Sequence, residues 1–363
     1  MANEINEALI NQLINHLEST NKSVAYTLSA QDLAVKKLAL ANEDLREKLT
    51  NDLFQIASML NKNGLGKFGT RIEQSIVENL LQAPYDAQAA FRVHKAFFTE
   101  RHEMALFILE NLEIFKKIVN YKIENTSSHE IIGKPKVFTY WHNQDNLPPI
   151  VQLCRSNLEK HVSSEFDLII LDEKNYKEWL DFDLEAFRTS FSKAHFTDLL
   201  RLRLLEKWGG FWLDATCLLS EDFYSATQII RQQDQFFFSY INSRVGTWFV
   251  WSKPANYVIT MVAEVLTFWW AKRNRLTNYF MLHDIIEMLY WTDDEYRKQW
   301  DAMYKIHPKN ALEVLRAYTK PCSEAEFENM MNDSFVHKLN YKYDSNNILD
   351  TGSLYKLLAV VLD

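Results

Sequence analysis

One segment in the middle of the chain concentrates the residue types that could do chemistry. Asp198 and Arg201 are three residues apart on a predicted helix, so they share a face and present a carboxylate and a guanidinium together. Gly209 and Gly210 end this helix and let the backbone approach a bound donor closely. A short apolar strand follows and places Asp214 at its exit. A carboxylate there can hold a metal ion or sugar hydroxyls beside a diphosphate.

The elements around this segment predict an α/β catalytic domain. Short apolar runs at residues 137–141 and 166–171 predict buried strands, and residues 149–161 between them predict a helix. Strand, helix and strand in this order indicate a parallel sheet, which binds ligands at the carboxyl ends of its strands. The polar residues 124–133 predict a linker in front of this domain.

The first third of the chain predicts only helices. Apolar residues recur at helical spacing in residues 5–17 and 38–60, and helical patterning continues over residues 86–121. Catalytic residue types do not cluster in this region. We therefore interpret residues 1–125 as an all-α packing and assembly module through which the chain forms a homo-oligomer, and residues 131–363 as the catalytic domain.

Composition and charge exclude several classes of protein. The net charge of -8 lacks the basic footprint of a nucleic-acid-binding domain. The three cysteines lie far apart without a CxxC pair, which argues against a zinc ribbon or a disulfide framework and suits a reducing compartment. The first residues do not resemble a signal peptide, and the apolar stretch 257–270 is too short to span a bilayer of ~30 Å. We expect a cytoplasmic protein without a nucleic-acid partner.

The aromatic content, 13% of the chain, fits a carbohydrate enzyme because sugars and nucleobases stack on aromatic faces, but it also fits an aromatic core. Trp269 and Trp270 precede Lys272, Arg273 and Arg275. This pattern is typical of a membrane-facing rim and equally of a helix face packed in the core. The rim interpretation predicts peripheral association with the inner face of the cell membrane.

The segment Ala194–Thr216 resembles the capsular polysaccharide synthesis glycosyltransferases, which are relatives of the DXD-containing sugar transferases of glycosyltransferase family 32. The resemblance rests on D-x-x-R followed by W-G-G-F-W-L-D-A-T, and it continues in residues 135–141, 278–283 and 337–342. Over roughly residues 131 to 360 it implies a GT-A fold. This fold is a Rossmann-like nucleotide-sugar domain whose DXD-like motif anchors the donor diphosphate.

The resemblance also implies roles for individual residues. Asp214 takes the place of the DXD aspartate, and Asp198 and Arg201 would hold the donor sugar and its phosphates. Tyr140 and Trp141 lie where the first strand of the family meets the nucleobase. On these grounds the chain is expected to be a nucleotide-sugar-dependent enzyme, a hexosyl- or N-acetylhexosaminyltransferase.

The sequence departs from a complete DXD motif. Thr216 occupies the place of the second acid, so a divalent ion would be short of protein ligands. His337 and Lys338 match a family segment that folds over the diphosphate. We expect Mn²⁺ or Mg²⁺ to be shared by Asp214 and His337, with Lys338 adding charge at the leaving group. A metal-independent enzyme, in which Arg201 and Lys338 neutralise the diphosphate, stays open.

The expected reaction adds a sugar to a growing capsular or other surface polysaccharide, with a saccharide or a lipid-linked saccharide as acceptor. An inverting enzyme needs a base, for which His283 and Asp284 are the candidates, whereas a retaining enzyme, as in family 32, needs none. Two rivals remain. A glycoside hydrolase requires two carboxylates ~5 to 9 Å apart. A scaffold of a polysaccharide assembly complex would carry a degenerate, non-catalytic transferase domain.

Overall fold

The computed structural model describes residues 99–342, except residues 191, 242–243, 278 and 318–320. The chain separates into two compact units, Met1–Leu106 and Phe107–Asp363, and almost all described residues belong to the second. The helices predicted before residue 99 lie outside the described residues. The domain division expected between residues 125 and 131 stays a prediction.

Helices and strands alternate as far as residue 213, and five consecutive helices precede the last strand. The helices are α1 (Thr99–Glu124), α2 (Pro149–His161), α3 (Lys193–Trp208), α4 (Phe223–Ala226), α5 (Tyr257–Arg273), α6 (Met281–Thr292), α7 (Asp294–Ala302), α8 (Glu313–Ala317) and α9 (Glu324–Asn332). The strands are β1 (Lys136–Tyr140), β2 (Asp167–Leu171), β3 (Gly210–Leu213), β4 (Cys217–Leu219), β5 (Gln235–Ile241), β6 (Arg244–Ser252) and β7 (Val336–Lys338).

The protein is a mixed α/β structure built on a five-stranded sheet of order β2-β1-β3-β6-β5. Strand β1 pairs in parallel with β2 and with β3, whereas β6 runs antiparallel to both β3 and β5. Strands β4 and β7 form a separate antiparallel pair. The strand, helix and strand predicted at residues 137–171 are confirmed, as is their parallel pairing.

Two glycines connect α3 to β3. Gly209 and Gly210 have φ angles of 62° and 93°, backbone angles that residues other than glycine rarely adopt. A Cβ on Gly209 would lie 2.7 Å from Cδ of Pro254, and one on Gly210 would collide with the carbonyl oxygen of Lys136. Glycine is therefore required for β3 to begin directly after the helix and to lie against β1.

The aromatic side chains fill the core. The ring of Phe211 on β3 lies 4.6 Å from that of Trp251 and 4.9 Å from that of Phe223. Trp269 and Trp270 on α5 are 0% and 1% exposed, so the core interpretation of this pair is confirmed and the membrane rim is not formed by them. Burial of each such side chain contributes about 2 to 3 kcal/mol to folding.

Two further predictions can be compared with the described residues. None of the helices among them is long and apolar enough to cross a membrane. The cysteines Cys154, Cys217 and Cys322 are free thiols, and the first two are buried. Burial raises the pKa of the Cys154 thiol to about 12, which keeps it protonated at neutral pH.

Candidate active site at the carboxyl ends of the parallel strands

The carboxyl ends of the three parallel strands meet at one edge of the sheet. Trp141, Asp172 and Asp214 directly follow β1, β2 and β3 at this edge. The backbone N–H of Asp214 donates to the carbonyl of Trp248 on the neighbouring β6 at 2.8 Å, which extends the ladder and fixes the position of the aspartate. In open α/β sheets ligands bind in the crevice beyond such an edge.

Asp214 lies among three donors. Its Oδ1 accepts a hydrogen bond from Nε1 of Trp212 at 2.9 Å and lies 3.6 Å from Nη1 of Arg201. Its Oδ2 lies 3.1 Å from Nζ of Lys338. Burial alone would raise the pKa of Asp214, but the charges of Lys338 and Arg201 hold it below the usual value. The carboxylate is therefore ionised, and its side chain keeps 27% exposure to solvent.

Lys338 reaches Asp214 from the small β4–β7 sheet. Its pairing with Cys217 brings the ammonium to the loop between β3 and β4, where Nζ also donates to Oγ1 of Thr216. Burial disfavours the charged ammonium, yet the neighbouring Asp214 raises the pKa of Lys338 above its normal value. A fixed positive charge thus lies between Asp214 and Thr216.

Arg201 connects helix α3 to this edge. Its Nη2 lies 3.1 Å from Oδ1 of Asp198, and its Nη1 donates to the carbonyl of Thr247 on β6. The guanidinium lies over the ring of Trp212 at 5.1 Å, so stacking also restrains it. Burial raises the pKa of Asp198, and the charge of Arg201 opposes this rise. Asp198 and Arg201 share a helix face, and through Arg201 that face meets Asp214.

His195 extends the same helix face by one more turn. It is 3% exposed, its Nδ1 is hydrogen-bonded to Oγ of Ser192, and its Nε2 has no hydrogen-bond partner in the described part of the chain. The exposed ring of Tyr279 covers it at 6.1 Å. His195 was not predicted from the sequence: helical spacing places it on the face of Asp198 and Arg201, but this spacing alone does not single out a functional histidine.

The two aromatic residues expected at the nucleobase differ in position. Tyr140 is 8% exposed and packs against Phe196, with 5.6 Å between ring centroids. Trp141 is half-buried, and its ring lies 4.8 Å from that of Tyr341, three residues beyond Lys338. Trp141 and Tyr341 together present aromatic surface at the strand ends, and Tyr341 is a second residue that the sequence analysis missed.

Three residues expected at the donor or the metal lie elsewhere. Gly209 and Gly210 are at the amino end of β3, at least about 13 Å from Asp214 at ~3.3 Å per residue, so they connect helix and strand. His337 precedes Lys338 on β7 and points to the opposite face, because side chains alternate along a strand. It is 0% exposed, and its Nε2 lies 3.2 Å from the carbonyl of Met331.

The candidate bases lie on α6. The His283 ring packs against Phe280 at 5.6 Å, and Phe280 packs against Tyr279 at 5.2 Å, so ring contacts connect His283 to the cover over His195. Asp284 is 4% exposed and lies within the helix layer. The structure therefore places His283 on the side of the site formed by the start of α3.

The described residues do not fit the expected metal centre. Among them, no group of three or more His, Cys, Asp or Glu side chains is arranged to hold a metal ion. Asp214 is engaged by Lys338 and Arg201, and His337 faces away from it. A metal shared by Asp214 and His337 has no geometric basis in this arrangement.

One of the comparisons with known proteins, the family match, agrees with the resemblance in the sequence. No curated protein sequence matches the chain. A solved structure named "PaToxG Glycosyltransferase" matches with 14% identity and a TM-score of 0.32, covering 64% of this chain and 95% of the other. The family described as "Capsular polysaccharide synthesis protein" matches residues 87–358, which include every residue of the site. The chain therefore belongs to the capsular polysaccharide synthesis family.

Proposed function

We propose that the protein is a glycosyltransferase of the GT-A type that moves a sugar from a nucleotide-diphosphate donor to a surface polysaccharide. One observation carries the proposal: Asp198, Arg201, Asp214 and Lys338 converge at the carboxyl ends of parallel strands. Two carboxylates for sugar hydroxyls and two cations for a diphosphate are what such a donor requires. Membership in the capsular polysaccharide synthesis family supports the same class of reaction.

Departure of the nucleotide diphosphate is the step that needs electrostatic help. Negative charge develops on the leaving group, and preorganised cations stabilise it without reorganisation during the reaction. Lys338 lies between Asp214 and Thr216, where a complete DXD motif would bring a metal ion. We therefore favour neutralisation by Lys338 and Arg201, the metal-independent alternative left open by the sequence.

The donor sugar would lie along the face of α3 that carries His195 and Asp198. The Asp198 carboxylate can accept hydrogen bonds from sugar hydroxyls, and the unpartnered Nε2 of His195 can bind one more hydroxyl. Trp141 and Tyr341 supply aromatic faces on which a nucleobase can stack. In this arrangement the nucleobase, the diphosphate and the sugar of the donor each contact a different strand end or helix.

The acceptor hydroxyl attacks the anomeric carbon of the bound donor. Asp284 is 4% exposed, which is a poor position for a base that must meet an incoming saccharide. This leaves His283 as the base that an inverting reaction would use. We propose retaining transfer, in which the departing diphosphate takes the proton of the acceptor hydroxyl and no dedicated base is required. A hexose or N-acetylhexosamine is the proposed transferred sugar, and the acceptor is a saccharide or a lipid-linked saccharide.

A panel of nucleotide sugars tests this proposal on the full-length protein. One donor should raise the thermal stability, by about 2.7 kcal/mol at a hundredfold excess over its Kd, and should release nucleotide diphosphate when an acceptor is added. Cleavage of an oligosaccharide without any nucleotide would instead identify a glycoside hydrolase. A folded protein that binds no member of the panel would support the scaffold interpretation.

A further inference from the structure

The connection from α5 to α6 combines exposed cations with exposed apolar side chains. Leu276, Tyr279 and Phe280 are 39%, 68% and 59% exposed. The cations before them are exposed as well. We define this surface as the basic aromatic loop, which consists of Lys272, Arg273, Arg275, Leu276, Tyr279 and Phe280.

The charge of this loop is opposite to that of the protein as a whole. Residues 265–283 contain no Asp or Glu, although the net charge of the chain is -8. Neighbouring rings restrain the cations: Nζ of Lys272 lies 5.4 Å from the ring of Phe268, and the guanidinium of Arg275 lies 5.8 Å from that of Trp269. Nζ of Lys272 also donates to Oδ1 of Asn111 on α1 at 3.1 Å. The loop therefore combines three exposed cations with exposed aromatic side chains, and its own sequence has no acid.

We propose that the basic aromatic loop binds an anionic membrane surface. Lys and Arg side chains are attracted to anionic lipid headgroups, and aromatic and leucine side chains insert at the boundary between headgroups and acyl chains. The loop carries both features within nine residues. A protein partner would more commonly require a broad patch with few charges at its centre.

The loop lies beside the site described above. The Tyr279 ring is 6.1 Å from His195, and His195 is one helical turn from Asp198. A membrane bound by the loop would therefore lie next to the helix face proposed to hold the donor sugar. That orientation favours a lipid-linked acceptor, and this last step alone rests on the proposed function.

Co-sedimentation with lipid vesicles tests the membrane contact directly. The full-length protein should bind vesicles of phosphatidylcholine mixed with phosphatidylglycerol, should not bind phosphatidylcholine alone, and should be released by high salt. The combined variant Lys272→Gln, Arg273→Gln and Arg275→Gln should weaken binding by roughly a hundredfold, since each cation contributes about fivefold. The combined variant Leu276→Ser, Tyr279→Ser and Phe280→Ser should weaken vesicle binding at every salt concentration at which the wild type still binds.

A second surface of the protein supplies a matched control. Tyr224 and Ile229 are 42% and 54% exposed, and Arg231 stacks on Tyr224 at 3.8 Å, but Glu221 and Asp222 adjoin them. The combined variant Tyr224→Ser, Ile229→Ser and Arg231→Gln should leave vesicle binding intact. Circular dichroism melts verify that each variant is folded. If a triple variant does not fold, the single variant Phe280→Ser replaces it in the vesicle assay.

Two results would overturn the proposal. One is a wild-type protein that ignores anionic vesicles at low salt, and the other is a set of folded loop variants that bind them as tightly as the wild type. Neither result depends on catalysis, because vesicle binding is measured without a donor. Failure of the proposed function would show instead as a wild-type protein that turns over no nucleotide sugar while still binding vesicles.

Discussion

Helix α3 carries two buried arginines, two residues apart, that lead to two different clusters of charges. Arg201 belongs to the strand-edge cluster, which also contains Asp198, Asp214 and Lys338. Arg203 belongs to the helix-layer cluster, where its Nη1 lies 2.6 Å from carboxylate oxygens of both Glu206 and Glu264, and where Lys122 completes the set.

The two clusters have similar composition but differ in which groups solvent reaches: in the helix-layer cluster the exposed group is the Lys122 side chain, at 36%, and both carboxylates are more buried. Lys122 lies 2.8 Å from Glu206 and 2.7 Å from Glu264, so each of these carboxylates has two cationic partners, and the Glu264 side chain is 6% exposed. In the strand-edge cluster the side chains of Asp214 and Lys338 keep 27% and 21% exposure. The helix-layer cluster joins α1, α3 and α5 with its carboxylates covered, whereas the strand-edge cluster exposes both a carboxylate and a cation, which can exchange their internal partners for a ligand.

The largest effect should follow from Asp214→Asn. The amide keeps the shape of the carboxylate but removes the charge that positions Lys338 and Arg201, so we expect transfer to fall by roughly a hundredfold or more. The fold should persist, because the side chain lies at a strand exit. Donor turnover and a thermal melt measure the two effects. Asp234→Asn is the matched control: Asp234 is 73% exposed and pairs with Lys253 at the other end of the sheet. Equal turnover in both variants would refute the assignment.

The helix-layer cluster should respond in the opposite way. Arg203→Met keeps the volume of the side chain but leaves Glu206 and Glu264 with one cation, and loss of one partner from a buried ion pair costs about 3 kcal/mol or more. Urea unfolding measures this loss. Donor affinity of the folded fraction should be unchanged, since Arg203 does not face the strand edge. A variant as stable as the wild type but deficient in donor binding would reverse the proposed roles of the two clusters.

The sequence predicted the elements of the fold because their signals are local. Short apolar runs gave β1 and β2, and the glycine pair gave the junction of α3 with β3. The same block correctly placed Asp198, Arg201 and Asp214 on adjoining elements. What could not be predicted locally is the β4–β7 pairing, which depends on residues more than a hundred positions apart and brings Lys338 to Asp214.

Strand alternation explains where the expected site and the structure differ. The family resemblance assigned His337 and Lys338 together, but neighbouring residues on a strand face opposite sides, so only one of them can meet Asp214. His195 and Tyr341 were missed for another reason: neither a lone histidine on a helix nor the single tyrosine of segment 337–342 has a spacing that marks it as functional. Their contacts with Tyr279 and Trp141 identify them only in the folded protein.

Lys338 allows a sharper test of the strand-edge cluster. If its ammonium supplies the charge that a metal would bring, exhaustive chelation with EDTA should leave transfer intact, whereas Lys338→Met should reduce it by about a hundredfold. Lys338→Arg, which keeps the charge, should retain more activity than the methionine variant. Loss of transfer on chelation and its recovery with Mn²⁺ or Mg²⁺ would contradict this role and would return the divalent ion to the site.

A smaller effect is expected at His195. Replacement by phenylalanine fills the same space and removes the unpartnered Nε2, so binding of the free nucleotide diphosphate should not change. Affinity for the whole nucleotide sugar should fall about tenfold, as for loss of one hydrogen bond at a buried site. Calorimetric titration with both ligands measures the difference. Ser192→Ala is the control, since it removes the Nδ1 partner and keeps Nε2. Equal losses for both ligands would make His195 a structural residue.

The smallest expected effect is the pH dependence of stability, and it compares the two clusters directly. The pKa values of Asp214 and Glu264 are both lower in the folded protein than usual, because neighbouring cations outweigh burial. Each carboxylate therefore stabilises the fold above the unfolded pKa of about 4, and this contribution is lost as the pH falls through the lower, folded value. Urea unfolding between about pH 3 and 8 measures this loss. The difference in the free energy of unfolding between wild type and Asp214→Asn should decrease as the pH falls. The difference in unfolding free energy for Glu264→Gln should decrease over the same pH range but should be larger at neutral pH, since Glu264 is more buried than Asp214. A difference for Asp214→Asn that equals or exceeds that for Glu264→Gln at neutral pH would show that the strand-edge cluster also serves mainly to hold the fold.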